Sequence, residues 1–254
     1  MALDHHSLIF TFGILGNIIS IAMFLSPMPT FIRVFKKKST EGFQSIPYVV
    51  ALLSCMLWIY YALLKANDYL LLSINSFGCL VEIVYIFVYI LYAPKQARML
   101  TLRLVFAMNF GGFLIVFILT HFFTKGPNRL QIVGWFCVSL SVVLFAAPLT
   151  IMRLVIRTKS VEFMPFTLSF FLTLSAVMWL LYGILLKDLY IGLPNIFGLV
   201  FGIAQMILYA IYSRNGKKKL SNSKEINPEE QRKTNGESVE SLKYQVKPVD
   251  EISV

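Results

Sequence analysis

The sequence predicts an all-α membrane protein of seven transmembrane helices, built as two parallel three-helix repeats joined by a linker helix in a 3+1+3 plan. Three observations carry this expectation. First, the chain of 254 residues is 57% hydrophobic and only 14% charged, where soluble domains carry about 25% charged residues. Second, the apolar residues gather into seven runs, near 7–26, 45–64, 70–92, 103–123, 131–152, 164–186 and 190–212. Each is long enough to cross a ~30 Å hydrocarbon core as a helix, and none has the period-two alternation of a membrane β-barrel. Third, the second half of the chain repeats the first.

The elements follow in order. The first run has no basic segment before it and is long for a signal-peptide core, so it reads as a retained helix. Basic residues then mark alternate connections. Arg33, Lys36, Lys37 and Lys38 follow run one, and Lys95, Arg98 and Arg103 follow run three. Arg153, Arg157 and Lys159 follow run five, and Arg214, Lys217, Lys218 and Lys219 follow run seven. The opposite connections hold only Lys65, Lys125, Arg129 and Lys187. Basic loops stay cytoplasmic, so the N-terminus is expected outside and the C-terminus inside. The net charge of +10 therefore reflects topology, and no nucleic-acid partner is expected. The last forty or so residues mix charges and offer little to bury, which predicts a disordered tail.

Shifting the chain by 121 positions lays it on itself. Pro27 falls on Pro148, Lys38 on Lys159, Ser54 on Ser175, Trp58 on Trp179 and Tyr61 on Tyr182. A one-residue deletion in the next loop brings Asp68 onto Asp188 and Asn75 onto Asn195. Two unrelated apolar helices would match Leu on Leu, not Trp, Tyr, Asp and Asn in register. The expected organisation is a first repeat at 1–92, a linker helix with its loops at 93–128, a second repeat at 129–213 and a tail at 214–254. Runs one and five are an even number of spans apart, so the repeats are parallel. Such repeats hold a substrate site at their interface near the membrane midplane.

The stretches "KKKSTEGFQSIPYV" and "TKSVEFMPFTLS", with the 3+1+3 duplication, resemble the plant SWEET (MtN3/saliva-type) sugar transporters. The resemblance covers about residues 7–212. It implies facilitated, bidirectional movement of a mono- or disaccharide by alternating access. It also implies a plasma-membrane address, a homo-oligomer and no cofactor. The stretch "TKSVEFMPFTLSFFLTLSAVMW" leans toward the sucrose-carrying members. A proton-coupled carrier, a channel and a non-transporting scaffold are the competing readings.

The residue chemistry fits a neutral polyol. The flat faces of Trp58 and Trp179 suit the C–H face of a pyranose. The amides of Asn75 and Asn195 each offer two donors and an acceptor with no charge to desolvate. The resemblance places these four in the sugar pocket. Ser20 pairs with Ser141 and Ser54 with Ser175 at the same shift, and they are candidate pocket hydroxyls rather than only small packing residues. Met23 and Leu144 also correspond, and the resemblance puts them at the pocket floor, where their volume limits sugar size. It makes Pro27, Pro47, Pro148 and Pro165 an inner hinge, in place of ordinary helix termination. It makes Tyr61, Tyr182, Asp188 and Lys65 an outer gate.

Glu82 is the only acid well inside a run. Its mate is Gly202, so a hydrogen-bonded helix contact is expected over a proton relay. Gly198 and Gly202 form a GxxxG suited to close helix packing. Cys55, Cys79 and Cys137 lie inside runs without zinc or redox spacing. His5, His6 and His121 have no evident partner in the sequence. No phosphate loop, metal cluster or nucleophile elbow is present, so an enzyme is not expected.

Overall fold

Lipid offers no hydrogen bonds, so a spanning segment must satisfy its backbone internally. Each predicted run accordingly carries helix over its described residues in the computed structural model, which describes residues 4–66, 68–161 and 166–224. The helices are α1 (His5–Leu25), α2 (Met28–Lys37), α3 (Ile46–Lys65) and α4 (Tyr69–Tyr92). Next come α5 (Lys95–Leu104), a π-helical stretch (Val105–Gly112) and α6 (Phe113–Phe123). The second half holds α7 (Pro127–Leu144), α8 (Ala146–Thr158), α9 (Phe166–Leu185) and α10 (Leu189–Lys224). Among the described residues seven spans are long and apolar enough to cross a membrane. The span α1–α2 runs from His5 to Lys37 and α7–α8 from Pro127 to Thr158, each longer than its apolar run.

Both long spans break at a repeat-related proline. Pro27 has no N–H for the Met23 carbonyl, which takes the Ser26 N–H at 3.1 Å instead. Pro148 likewise has none for Leu144, and α7 ends there. Two other expectations change. α10 continues to Lys224, past the predicted tail boundary at 214. Lysines suit a helix C-terminus, and the next proline is only at Pro228. The fourth span begins at Lys95, ahead of its apolar run, because a polar helical turn can precede the lipid core.

Within each repeat the third helix sits between the first two: α4 packs on α1 and α3, and α10 on α7 and α9. The repeats meet by exchange, α1 against α9 and α3 against α7. Even the turns match. Lys38 and Lys159, which end the first long span of each repeat, have φ of 54° and 53°. Left-handed backbone at a residue other than glycine is uncommon, so its recurrence at mates reports duplicated geometry.

The linker span docks on the first repeat through three polar contacts to α3. Ser45 Oγ meets Thr101 Oγ1 at 2.6 Å, Asn109 Nδ2 donates to the Val49 carbonyl at 3.4 Å, and Tyr60 OH meets Thr120 Oγ1 at 3.0 Å. Its other side presents Phe106, Phe110, Phe122 and Phe123, all strongly exposed. An apolar band of this kind belongs against lipid.

Glycines set the approach of α9 and α10. A methyl group on Gly198 would lie 3.2 Å from Ala176 Cβ. One on Gly202 would collide with the Thr173 side chain, 3.0 Å from its Cβ and 3.3 Å from its Cα. Gly202→Ala is therefore expected to lower the thermal unfolding midpoint in detergent, by an overpacking cost of about 1–3 kcal/mol. Thr173→Ala in the same chain should recover part of that loss. An unchanged midpoint in Gly202→Ala would contradict the close packing.

Candidate functional site

The face that carries the start of α1 is held shut by an exchanged pair of hydrogen bonds. Tyr61 at the end of α3 donates to both carboxylate oxygens of Asp188, at 3.0 and 2.8 Å. Its mate Tyr182 at the end of α9 donates to Asp68 Oδ1 at 2.6 Å. Each tyrosine thus reaches the aspartate of the other repeat, and all four residues are buried. Lys65 Nζ ion-pairs with both carboxylates, 3.2 Å from Asp68 Oδ2 and closer still to Asp188 Oδ2.

The two aspartates differ. Asp188 Oδ1 also accepts the N–H groups of Tyr190 and Ile191 at 2.9 and 3.2 Å, satisfying donors that a helix start leaves open. Asp68 caps nothing, and among the described residues its Oδ2 has no hydrogen bond. Asp68 was not among the predicted gate residues. Its correspondence with Asp188 was the available signal.

One turn deeper a second exchange occurs. Trp58 Nε1 donates to Ser141 Oγ at 3.4 Å, and Trp179 Nε1 donates to Ser20 Oγ at 3.0 Å. Ser20 Oγ also meets Ser175 Oγ at 3.4 Å. Each indole stands edge-on to the tyrosine above it: Trp58–Tyr61 at 5.5 Å and 80°, Trp179–Tyr182 at 5.3 Å and 81°. A methyl group on Gly16 would lie 3.0 Å from the Trp179 ring. Only glycine lets α1 approach so closely.

Beneath Ser175 lies a cavity of about 160 Å³, lined by Met23, Phe145, Pro148, Ser175, Asn195 and Gln205 among others. Trp58, Asn75, Ser20, Ser54, Ser141 and Trp179 are not on its wall, nor is Leu144, whose neighbour Phe145 takes that place. Ser54 is buried in α3. Asn75 and Asn195 each spend one amide hydrogen on their own helix, on Leu71 and Ile191 carbonyls at 2.8 and 2.7 Å. That leaves an oxygen and a second N–H on each. Gln205 is a wall residue that sequence reasoning missed. It is a buried amide, and its first-repeat mate is Tyr85, whose hydroxyl donates to the Phe24 carbonyl at 3.0 Å beside the Pro27 break. The mismatch of Tyr with Gln hid the correspondence.

The prolines divide. Pro27 and Pro148 stand at breaks inside long spans. Pro47 sits in the first turn of α3, where its missing N–H costs nothing. Pro165 lies outside the described residues. Glu82 is buried and does not reach the cavity. Among the described residues its Oε2 makes no hydrogen bond, so that oxygen does not make the expected helix contact. His121 does have a partner: its Nδ1 lies 2.9 Å from Arg129 Nη2, which also donates to Tyr60 OH at 2.6 Å.

Lys65→Met is expected to destabilise the fold by about 3–5 kcal/mol, because it strands two buried carboxylates. Adding Asp188→Asn should restore much of the thermal midpoint. Equal midpoints for wild type and Lys65→Met would refute the bridging role.

With this geometry in view, comparison with known proteins is direct. The MtN3/saliva family, sugar efflux transporters for intercellular exchange, matches residues 10–97 and again 131–217. The chain is 60% identical over 224 residues to the bidirectional sugar transporter N3 of Medicago truncatula, covering 88% of this chain and 84% of that one. It is 58% identical over 203 residues to the bidirectional sugar transporter SWEET11 of Arabidopsis thaliana, covering 80% and 70%. A solved eukaryotic SWEET transporter superposes with a TM-score of 0.79 at 38% identity, over 83% of this chain and 99% of that one. Two matches of one family in one chain, both falling on the repeats, leave a single conclusion: the chain belongs to the MtN3/SWEET family of membrane sugar transporters, not to an enzyme family.

Proposed function

We propose that this chain is a facilitative, bidirectional sugar uniporter that works by alternating access, with sucrose as the favoured substrate. The observation that carries the reading is the double exchange between repeats, Tyr to Asp and then Trp to Ser, above a neutral polar cavity. Breaking and remaking a few hydrogen bonds at one face is a small, reversible change, suited to a carrier that interconverts rapidly. In this reading the N-terminal face is extracellular and closed here. The basic connections face the cytoplasm, and the protein resides in the plasma membrane. Charge bias across the connections supports that orientation.

The residue roles follow. Trp58 and Trp179 stack on the sugar, and Asn75, Asn195 and the four serines bind its hydroxyls. Tyr61, Tyr182, Asp188 and Lys65, with Asp68, form the outer gate. Pro27, Pro47, Pro148 and Pro165 form the inner hinge, and the breaks at Pro27 and Pro148 support that role most directly. Ligand sites commonly exceed ~300 Å³, so the 160 Å³ cavity must widen as the repeats part. Its wall polar groups are Ser175, Asn195 and Gln205, none of them ionisable, which supports uniport over proton coupling. The adaptable Met23 lines the wall while the stiffer Leu144 does not, which favours the larger sugar. Assembly into a homo-oligomer rests on the family resemblance.

Purified protein in liposomes should take up labelled sucrose saturably and show counterflow with no proton gradient. Uptake that requires a pH gradient, or no uptake, would overturn the uniporter. Trp58→Ala, Trp179→Ala, Asn75→Ala and Asn195→Ala should each cut the initial rate at least about ten-fold, the effect of 1.4 kcal/mol, in protein that still folds.

Selectivity gives a finer check. Met23→Val should raise the sucrose-to-glucose uptake ratio and Met23→Phe should lower it. Each step is worth about 1–3 kcal/mol, which is roughly ten- to two-hundred-fold. Leu144→Val should move the ratio less. A ratio unchanged across the Met23 series would remove that residue as the size filter.

A further inference from the structure

The duplication breaks down beside the aspartates of the N-terminal face, where a second cavity lies. In the second repeat Tyr190 fills the space beside Asp188. Its ring stands 5.9 Å from Tyr61 and 5.7 Å from Trp135, and a methyl group on Gly134 would lie only 2.5 Å from it. The mate of Tyr190 is Leu70 and the mate of Gly134 is Gly13. Leucine lacks the ring, and a cavity of about 490 Å³ opens on the first-repeat side. It is lined by His6, Phe10, Lys65, Asp68, Leu70 and Tyr182 among others. This volume falls inside the ~300–1,000 Å³ range of small-molecule sites. The central cavity does not reach it.

The lining has the chemistry of a carbohydrate site. Asp68 is 5% exposed, and among the described residues its Oδ2 bears an ion pair with Lys65 but no hydrogen bond. It is a buried acceptor at the cavity wall with capacity left for a hydroxyl donor, and hydrogen bonds to a charged group are the stronger kind. Lys65 supplies a donor beside it, and Tyr182 lines the same wall. Phe10, half-exposed, and Leu70 give an apolar side for the C–H face of a pyranose.

We propose that this pocket is an outer sugar site, separate from the central one, that binds the hydroxyls of a neutral mono- or disaccharide on Asp68 and Lys65. It rests on the reading of the chain as a sugar carrier with its N-terminal face outside. A sugar hydroxyl on Oδ2 shares the Asp68 carboxylate with Tyr182, which holds Oδ1. In the second repeat the Tyr190 ring occupies the corresponding space, between Tyr61 and Trp135.

Cysteine protection tests this. Leu186 also lines the pocket, so Leu186→Cys serves as the reporter, labelled from outside with a membrane-impermeant maleimide. Sucrose at roughly ten times its dissociation constant should slow labelling about ten-fold. Protection should persist with Asn195→Ala, which disables the central cavity. It should vanish with Leu70→Tyr, which gives the first repeat the ring of the second. No labelling, no protection, protection that survives Leu70→Tyr, or protection that disappears with Asn195→Ala would each overturn the outer site. Sucrose flux measured on the same Leu186→Cys protein separates the two readings. Flux without protection removes only the outer site, and protection without flux removes only the uniporter.

Discussion

The structure depends on polar side chains of one repeat finding partners in the other. An unpaired polar group inside a low-dielectric bundle is costly. Tyr61, Trp58 and Asp68 Oδ1 of the first repeat find partners in Asp188, Ser141 and Tyr182 of the second. Trp179 closes the set on Ser20. Neither repeat is polar-complete alone, so their association is specified by chemistry as well as by fit. The same bonds lie at one end of the bundle, so they tie the two repeats together there.

The duplication is not perfect, and two of its mismatches remove an aromatic ring. Tyr85 fills the inner half of the first repeat where Gln205 stands in the second. Tyr190 fills the outer half of the second repeat where Leu70 stands in the first. Each missing ring coincides with a cavity, one of about 160 Å³ and one of about 490 Å³. Lys65 adds a further asymmetry, since its mate at the 121 shift is Leu186. One cation therefore serves two carboxylates. A symmetric second lysine would add a buried charge without a new partner.

Much of the fold was legible in the sequence because the bilayer imposes it. Run length decided the spans, and Trp58 with Trp179 and Asn75 with Asn195 fixed the repeat register. The family resemblance implied a gate of Tyr61, Tyr182 and Asp188 closing by hydrogen bonds across the repeats; which tyrosine meets which aspartate depends on α3 facing α7 and α1 facing α9. Gln205 and the role of Leu70 stayed hidden because their mates are different residues. The true lengths of the α1–α2 and α7–α8 spans stayed hidden because helices continue past the apolar run until geometry, not hydropathy, ends them. Lys38 and Lys159, in matching left-handed turns, mark those ends.

The central claim is that the exchanged bonds hold the N-terminal face closed in one of two states. Spin labels at Ala66→Cys and Lys187→Cys, mates on opposite repeats of that face, report their separation by pulsed electron resonance. Two distance populations are predicted, with the longer one growing when Tyr61→Phe and Tyr182→Phe are combined. A single distance, unchanged by removal of both hydroxyls, would contradict the account.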